Sequence, residues 1–269
     1  MNDIQKKLLE IAKEYINVCE ELNLRYFLMF GSAIGALRHN GFIPWDDDID
    51  FGMPRSDYEL FLKEGQQYFP SNYFIQTHKS DKNYFSQYAK VRDNNTTAIE
   101  EADKNVVMNH GLWIDIFPLD GLPASLKKRK ALDFLDFKIL RRRYQDYKYK
   151  LPQLHIKFAN FLVKIILPSK EYAYKKSIRL ATKYNFDTSE YVFYMFSKRA
   201  KHNLKQEWFS DYKMHKFEDI DIRIPIECEK ILEMLYGNWR ELPPIEDRNG
   251  GHSIVIIDLK KSYKEYLKE

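Results

Sequence analysis

The stretch Gly31-Ser-Ala-Ile-Gly-Ala-Leu-Arg-His-Asn-Gly-Phe-Ile-Pro-Trp-Asp-Asp-Asp-Ile-Asp-Phe-Gly52 is the most informative part of this chain. It places a Gly-Ser pair where a strand is predicted to lead into a helix, and aspartates follow at positions 46, 47, 48 and 50. Carboxylates so close together repel one another unless a cation lies among them. A divalent metal beside a phosphate-binding turn indicates chemistry on a nucleotide.

The acidic segment alternates with apolar residues. Asp48 and Asp50 alternate with Ile49 and Phe51, a period of two that is typical of a strand. Both carboxylates are therefore predicted to project from one face, where their oxygens suit Mg²⁺ or Mn²⁺. The alternative interpretation is a solvated acidic turn.

The Gly-Ser pair is predicted to bind phosphate. Glycine lets the backbone approach a ligand closely, and N–H groups at a helix N-terminus attract anions. Ser32 adds a hydroxyl donor beside Gly31, and Arg38 lies between this turn and the acidic segment, where it is a candidate phosphate contact. A Gly-Ser pair at a strand-to-helix turn is by itself more often only a turn.

Two further strand segments carry candidate site residues. Asp115 interrupts the apolar run Leu112–Phe117, and burial of a carboxylate is costly unless it is paired or bound to metal. It would complete a cation site from a neighbouring strand, or face solvent on an edge strand. Lys90 and Arg92 lie two apart on a predicted strand, where they would neutralise phosphate oxygens or form surface ion pairs.

The composition excludes several classes of protein. Of 269 residues, 44% are hydrophobic, which excludes a disordered chain. The 43 basic and 39 acidic residues leave a net charge of +4, too balanced to indicate nucleic-acid binding. Two cysteines make neither a disulfide scaffold nor a zinc site. With no secretory signal and no long uncharged apolar run, the protein is predicted to be cytoplasmic.

The chain is predicted to have an α+β organisation in two parts. Residues 1–122 form the catalytic core, with a turn at 118–121, and residues 123–269 form a mostly helical region that supports the core and binds the acceptor. The segment 127–150 holds ten basic and three acidic residues. It would suit peripheral contact with anionic lipid at the inner face of the membrane, although a solvated helix face is the more common role of such a segment.

Several motifs in order along the chain resemble the LicD family, which includes bacterial phosphocholine transferases and, more distantly, fukutin and fukutin-related protein. The resemblance spans about residues 25–245, and the string Ile-Pro-Trp-Asp-Asp-Asp-Ile-Asp is highly specific. The segments that carry it are Gly31-Ser32, residues 35–50, residues 90–97, residues 113–120 and residues 236–244.

The resemblance implies a nucleotidyltransferase-like fold with a mixed sheet flanked by helices. Such enzymes move a phospho-alcohol from a CDP-activated donor onto a sugar hydroxyl and release CMP. Matched residue by residue, Asp48 and Asp50 become metal ligands, Asp115 the third carboxylate, and Asp46 a nearby supporting acid. These assignments make Asp48, Asp50 and Asp115 the predicted catalytic residues.

The function predicted from this resemblance is Mg²⁺- or Mn²⁺-dependent transfer of phosphocholine from CDP-choline. The acceptor would be a lipid-linked precursor of teichoic acid or lipopolysaccharide, and no nucleic acid is involved. The alternatives are transfer from CDP-ribitol or CDP-glycerol, a metal-dependent glycosyltransferase, and a catalytically silent binding module. Choline would need aromatic faces, and the aromatic residues that flank the predicted site in sequence are Trp45, Tyr88, Trp113 and Phe117.

Overall fold

The computed structural model describes residues 1–84, 86–129 and 169–267. Within these ranges the α-helices are α1 (Asp3–Glu21), α2 (Phe30–His39), α3 (Arg55–Glu64), α4 (Lys170–Ala181) and α5 (Cys228–Tyr236). The strands are β1 (Phe27–Leu28), β2 (Asp50–Pro54), β3 (Tyr73–Gln76), β4 (Ala89–Asp93), β5 (Thr97–Glu100), β6 (Leu112–Leu122), β7 (Tyr191–Phe193), β8 (Tyr212–Phe217), β9 (Ile220–Pro225) and β10 (Ile254–Asp258).

The main sheet is mixed, as predicted. Its strands follow the order β1-β2-β6-β4-β3, and β7 pairs with the far end of β6. Strands β2 and β6 are parallel, whereas the other neighbours run antiparallel. Two smaller ribbons, β5 with β10 and β8 with β9, complete the described strands. The long central strand β6 thus contacts β2, β4 and β7.

The two faces of this sheet differ in chemistry. Asp50 lies opposite Asp115, and Asp115 lies opposite Lys90, so one row of charged side chains crosses three strands. Because side chains alternate along a strand, the neighbouring Phe51 faces the other way, and its ring packs 4.6 Å from the ring of Tyr15 on α1. The core under α1 therefore anchors the sheet, while the opposite face carries the acids.

Helix α1 also supports the acidic segment directly. Its N-terminus is a capping box in which Asn2 and Gln5 bond reciprocally. The Gln5 side chain, which is buried, donates to the carbonyl oxygens of Ile43 and Asp46 at 3.2 and 3.1 Å. The loop that precedes β2 is thus tied to the first turn of α1.

The predicted turn at residues 118–121 is wrong, because β6 continues without interruption to Leu122. Pro118 lies opposite Met53 in the parallel pair with β2. It falls between the part of β6 that pairs with β4 and the part that pairs with β7. The missing N–H of the proline therefore breaks neither antiparallel ladder.

The described part of the predicted helical C-terminal region, residues 169–267, contains strands as well as helices. It has two α-helices, five short 3-10 helices and four strands, and β7 and β10 pair with strands from the first half of the chain. Residues 130–168, which include most of the basic segment, lie outside the described residues. No helix in the described ranges is both long enough and apolar enough to cross a membrane.

Candidate active site

Three of the predicted acids line one cavity. Asp46, Asp48 and Asp50 meet there beside Gly31, in a space of about 510 Å³. Asp48 is in the loop just before β2, and Asp50 is the first residue of the strand, so the period of two brings both into the cavity as predicted. The remaining lining residues are Phe30, Phe117, Tyr194, Ser197, Arg199 and Tyr236.

Asp115 lies next to Asp50 across the parallel pair β2–β6. Its side chain is only 4% exposed, and among the described residues its Oδ1 atom has no hydrogen-bond partner. The nearest cation is Lys90, whose Nζ lies 3.5 Å from that oxygen and 3.7 Å from the centre of the Trp113 ring. Burial lowers the pKa of Lys90, although the charge of Asp115 opposes the shift. An orphaned buried carboxylate oxygen fits a site built for a cation.

The carboxylates of the cavity repel one another. Burial, together with the charges of Asp48 and Asp47, raises the pKa of Asp46 to about 7. Burial likewise raises the pKa of Asp48 to about 6, with a contribution from Asp115. The pKa of Asp50 is raised well above its usual range by burial and by Asp48 and Asp115. A bound cation would relieve this repulsion.

The predicted phosphate turn is the first turn of α2. Gly31 lines the cavity, and a Cβ atom at this position would lie 3.3 Å from Oδ2 of Asp46. Ser32 is buried, and its hydroxyl oxygen accepts a hydrogen bond from the backbone N–H of Asp50 at 3.0 Å. Ser32 therefore fixes the start of β2, while the Gly31 backbone is the part of the turn that faces the cavity.

Two predicted phosphate contacts, Arg38 and Arg92, lie elsewhere. Arg38 donates to the carbonyl oxygens of Trp239 and Glu241 at 2.8 and 3.0 Å, which joins α2 to the loop after α5. Arg92 is 1% exposed and donates to the carbonyl oxygen of Gly111 at 2.6 Å. Neither side chain lines the cavity. Their present contacts are structural.

The loop of residues 249–253 reaches the acidic segment, which local sequence patterns do not predict. The Gly251 N–H donates to Oδ1 of Asp47 at 3.1 Å, and Nδ1 of His252 lies 3.2 Å from the same oxygen. A Cβ atom on Gly250 would lie 2.5 Å from Oδ2 of Asp47. The paired glycines were the only local signal for this close approach.

His252 adds a positive charge to the site. Its Nδ1 lies 3.8 Å from Oδ2 of Asp48, and its ring meets Trp113 edge-on at 5.3 Å. Burial opposes the charged form, but the hydrogen bond with Asp47 and the charges of Asp115 and Asp48 raise the pKa of His252 to about 9. Asp47, Asp48 and His252 each place one potential ligand atom within 4.8 Å of the others.

Arg199 is a second residue that sequence reasoning missed. It is exposed and lines the cavity, with its guanidinium 4.3 Å from the centre of the Tyr236 ring. It follows Ser197, whose hydroxyl accepts from the Arg199 backbone N–H. No local pattern marks this short segment, because only the fold brings it beside β2.

The aromatic residues near the site are only partly those expected from the sequence. Trp113 lies under Lys90 and Arg92, and Trp45 packs near Arg248. Of the four predicted rings, Phe117 lines the cavity, and Tyr88 stacks on it at 4.4 Å.

This chain is similar to known proteins over most of its length. A family model described as LicD/FKTN/FKRP, nucleotidyltransferase domain, matches residues 23–165, which include the aspartates 46–50 and Asp115. The chain is 27% identical to the lipopolysaccharide cholinephosphotransferase LicD of Haemophilus influenzae, over 94% of this chain and 96% of that protein. It is also 29% identical to the human ribitol 5-phosphate transferase FKRP, over 41% of this chain and 23% of that protein. With more than half of its length matched by the family model, the chain belongs to the LicD family.

Proposed function

We propose that this protein is a divalent-cation-dependent phosphotransferase that moves phosphocholine from CDP-choline to a sugar hydroxyl of a cell-surface glycan precursor. The observation that carries the proposal is that Asp50, which lines the cavity together with Asp48, lies next to Asp115 on the neighbouring strand. The Haemophilus relative, similar over nearly the whole chain, is named a cholinephosphotransferase.

The residues present fit a hard divalent cation. Asp48, Asp50 and Asp115 offer only carboxylate oxygens, the ligands that Mg²⁺ and Mn²⁺ prefer. The Oδ1 atom of Asp115 is buried without a hydrogen-bond partner among the described residues, as expected of a ligand atom. When bound, the cation would neutralise charge on the diphosphate oxygens. Asp46 and the pair of Asp47 with His252 would support these ligands.

The reaction forms a bond between the acceptor oxygen and the phosphorus that carries choline, and it breaks the phosphoanhydride bond to CMP. Asp115 would take the proton of the acceptor hydroxyl. The backbone at Gly31 and the side chains of Lys90 and Arg199 would contact phosphate oxygens, since each lies at or beside the acids. Catalysis would rest mainly on positioning and electrostatics.

The acceptor is proposed to be a teichoic acid or lipopolysaccharide precursor carried on lipid. The protein would act in the cytoplasm, at the inner face of the membrane, with residues 123–269 holding the acceptor beside the core of residues 1–122.

The test is product analysis by mass spectrometry. The protein is incubated with Mg²⁺, a panel of glycan acceptors, and CDP-choline, CDP-ribitol or CDP-glycerol in separate reactions. The expected result is CMP release with an acceptor heavier by phosphocholine. Asp50→Asn should lower this transfer by about 10²- to 10³-fold, whereas Asp219→Asn should leave it unchanged, because Asp219 is exposed and pairs with Lys13 on the surface. Transfer from CDP-ribitol alone, the activity in the name of the human relative, would overturn the choline assignment.

A further inference from the structure

The wall of the cavity beside the acids is aromatic. Phe30 meets Phe117 edge-on with ring centres 5.2 Å apart, and Phe117 lies 5.2 Å from Tyr194 at an interplanar angle of 58°. All three rings line the cavity that holds Asp48 and Asp50. They form one continuous surface, which is called the aromatic wall below.

The backbone holds one of these rings in a disfavoured conformation. Phe30 has a φ of 53°, in the left-handed region that bulky side chains rarely adopt. Glycine would sit there without strain. The ring of Phe30 packs against the rings of Phe117 and Phe193, and the centres of the Phe30 and Phe193 rings are 5.8 Å apart. The fold therefore keeps an aromatic side chain at a position where the backbone alone would favour glycine, which is typical of a functional constraint.

The position of the aromatic wall relative to the acids is set by β6. Phe117 follows Asp115 by two residues, so both side chains leave the strand on the same face. Two residues of strand rise about 6.6 Å. The phosphorus and the nitrogen of phosphocholine lie somewhat closer together than this, and the methyl groups of the ammonium extend farther. A phosphate beside Asp115 would thus place the other end of the alcohol against Phe117.

The cavity is lined by charged side chains of both signs and by aromatic rings. Arg199 lies over the ring of Tyr236, so that ring is already in contact with a cation. Phe30, Phe117 and Tyr194 line the same cavity as the carboxylates of Asp48 and Asp50. Arg199 suits phosphate oxygens, whereas aromatic faces near carboxylates suit a cation that carries no hydrogen-bond donor.

We infer that the aromatic wall is the subsite for the quaternary ammonium group of the donor alcohol, and that it selects choline over a polyol. This inference rests on the proposed function and names the residues that decide its donor specificity. Quaternary ammonium ions are recognised by the π-faces of aromatic rings, whereas ribitol or glycerol would need side chains that hydrogen-bond to hydroxyl groups. Tyr88, stacked on Phe117 at 4.4 Å, positions that ring from behind.

The test compares CDP-choline with the CDP ester of 3,3-dimethylbutanol, in which a neutral tert-butyl group replaces the trimethylammonium group. The two donors have the same shape, so a difference in kcat/KM reports the charge. The wild-type enzyme should prefer CDP-choline by about 2- to 30-fold for each ring that faces the ammonium. Phe117→Leu and Tyr194→Leu keep an apolar wall but remove the π-faces, so each should narrow the preference by a factor in this range.

Tyr212→Leu is the matched control, since Tyr212 is 42% exposed on β8 and does not line the cavity. It should leave the preference unchanged. Equal use of the two donors by the wild-type enzyme, which needs no variant to fold, would overturn the inference while leaving the proposed function intact. The inference would also be overturned if both leucine variants kept the wild-type preference for CDP-choline over the neutral donor. Transfer from CDP-ribitol but not from CDP-choline would overturn the proposed function and the inference together.

Discussion

Strand β6 carries two buried aspartates whose surroundings differ sharply. Asp120 is fully buried, accepts hydrogen bonds from Arg55 at 2.7 and 3.1 Å, and also faces the Met195 N–H at 3.4 Å. Asp115, on the opposite face of the strand, lies beside another carboxylate, Asp50. Its Oδ1 has Lys90 as an ion-pair partner at 3.5 Å but no hydrogen bond among the described residues. The fold satisfies the carboxylate of Asp120 with its own groups, whereas the single charge of Lys90 does not balance two adjacent carboxylates, and a bound cation would supply the missing charge.

The largest expected effect is on stability, at the satisfied aspartate. Asp120→Asn leaves the buried guanidinium of Arg55 without its charge partner and should lower the free energy of unfolding by about 3–5 kcal/mol. Urea denaturation followed by circular dichroism measures this. Glu59→Gln is the control, because it removes the half-exposed partner of Arg55 and should cost less than about 1 kcal/mol. Equal losses in the two variants would erase the distinction between the two aspartates.

The opposite pattern, a loss of activity without a loss of stability, is expected for the adjacent carboxylates of Asp50 and Asp115. Asp50→Asn should lower transferase activity by about 10²- to 10³-fold, the scale of losing one group that stabilises charge in the transition state. The melting temperature of the metal-free protein should stay the same or rise, because the raised pKa of Asp50 shows that its charge is unfavourable in the fold. Activity assays and thermal melts with a chelator measure the two effects. A clear loss of melting temperature would contradict this prediction.

A smaller effect is expected where the 249–253 loop meets Asp47. Gly250→Ala would place a Cβ atom 2.5 Å from Oδ2 of Asp47, whereas a Cβ on Gly251 would meet nothing within 4 Å. Neither glycine has a positive φ, so the two substitutions differ only in the clash. Gly250→Ala should reduce activity and Mn²⁺ affinity by about 10- to 100-fold, as outer supports of metal sites do. Calorimetric titration with Mn²⁺ would compare the affinities of the two variants. An equal loss of affinity in Gly251→Ala would refute the explanation by a clash with Asp47.

The last prediction concerns the pH dependence of stability. Folded-state pKa values of about 7 for Asp46 and about 6 for Asp48 exceed the unfolded value of 3.8, so the folded state binds more protons between these limits. The contribution of these two groups to the free energy of unfolding of the metal-free protein is therefore most favourable below about pH 4. It falls as the pH rises to 7, by up to about 1.4 kcal/mol per pH unit for each proton.

Urea unfolding of the wild type and of Asp46→Asn at pH 4.5, 6.0 and 7.5, both with a chelator, checks this. The stability of the variant relative to the wild type should increase with pH. If the stability of the variant relative to the wild type stayed constant or declined with pH, the charge of Asp46 would not be unfavourable in the folded protein.

The sequence predicted those parts of the molecule that depend on short-range patterns. The alternation with apolar residues predicted that Asp48 and Asp50 project from one face, and the apolar run around Asp115 singled out that acid. The structure places Asp48 and Asp50 in one cavity and Asp115 next to Asp50 on the neighbouring strand. It could not predict that Arg92 is buried as a structural residue, because exposure depends on which strands become neighbours. His252 and Arg199 were missed for a similar reason, since tertiary packing alone brings them to the acids.

The contact between Asp47 and His252 joins residues 205 positions apart. At about 5–20 residues per second, a ribosome needs roughly 10–40 s to pass from one to the other. For that interval the acidic segment exists without the loop of residues 249–253. Their contact is therefore among the last that the growing chain can form.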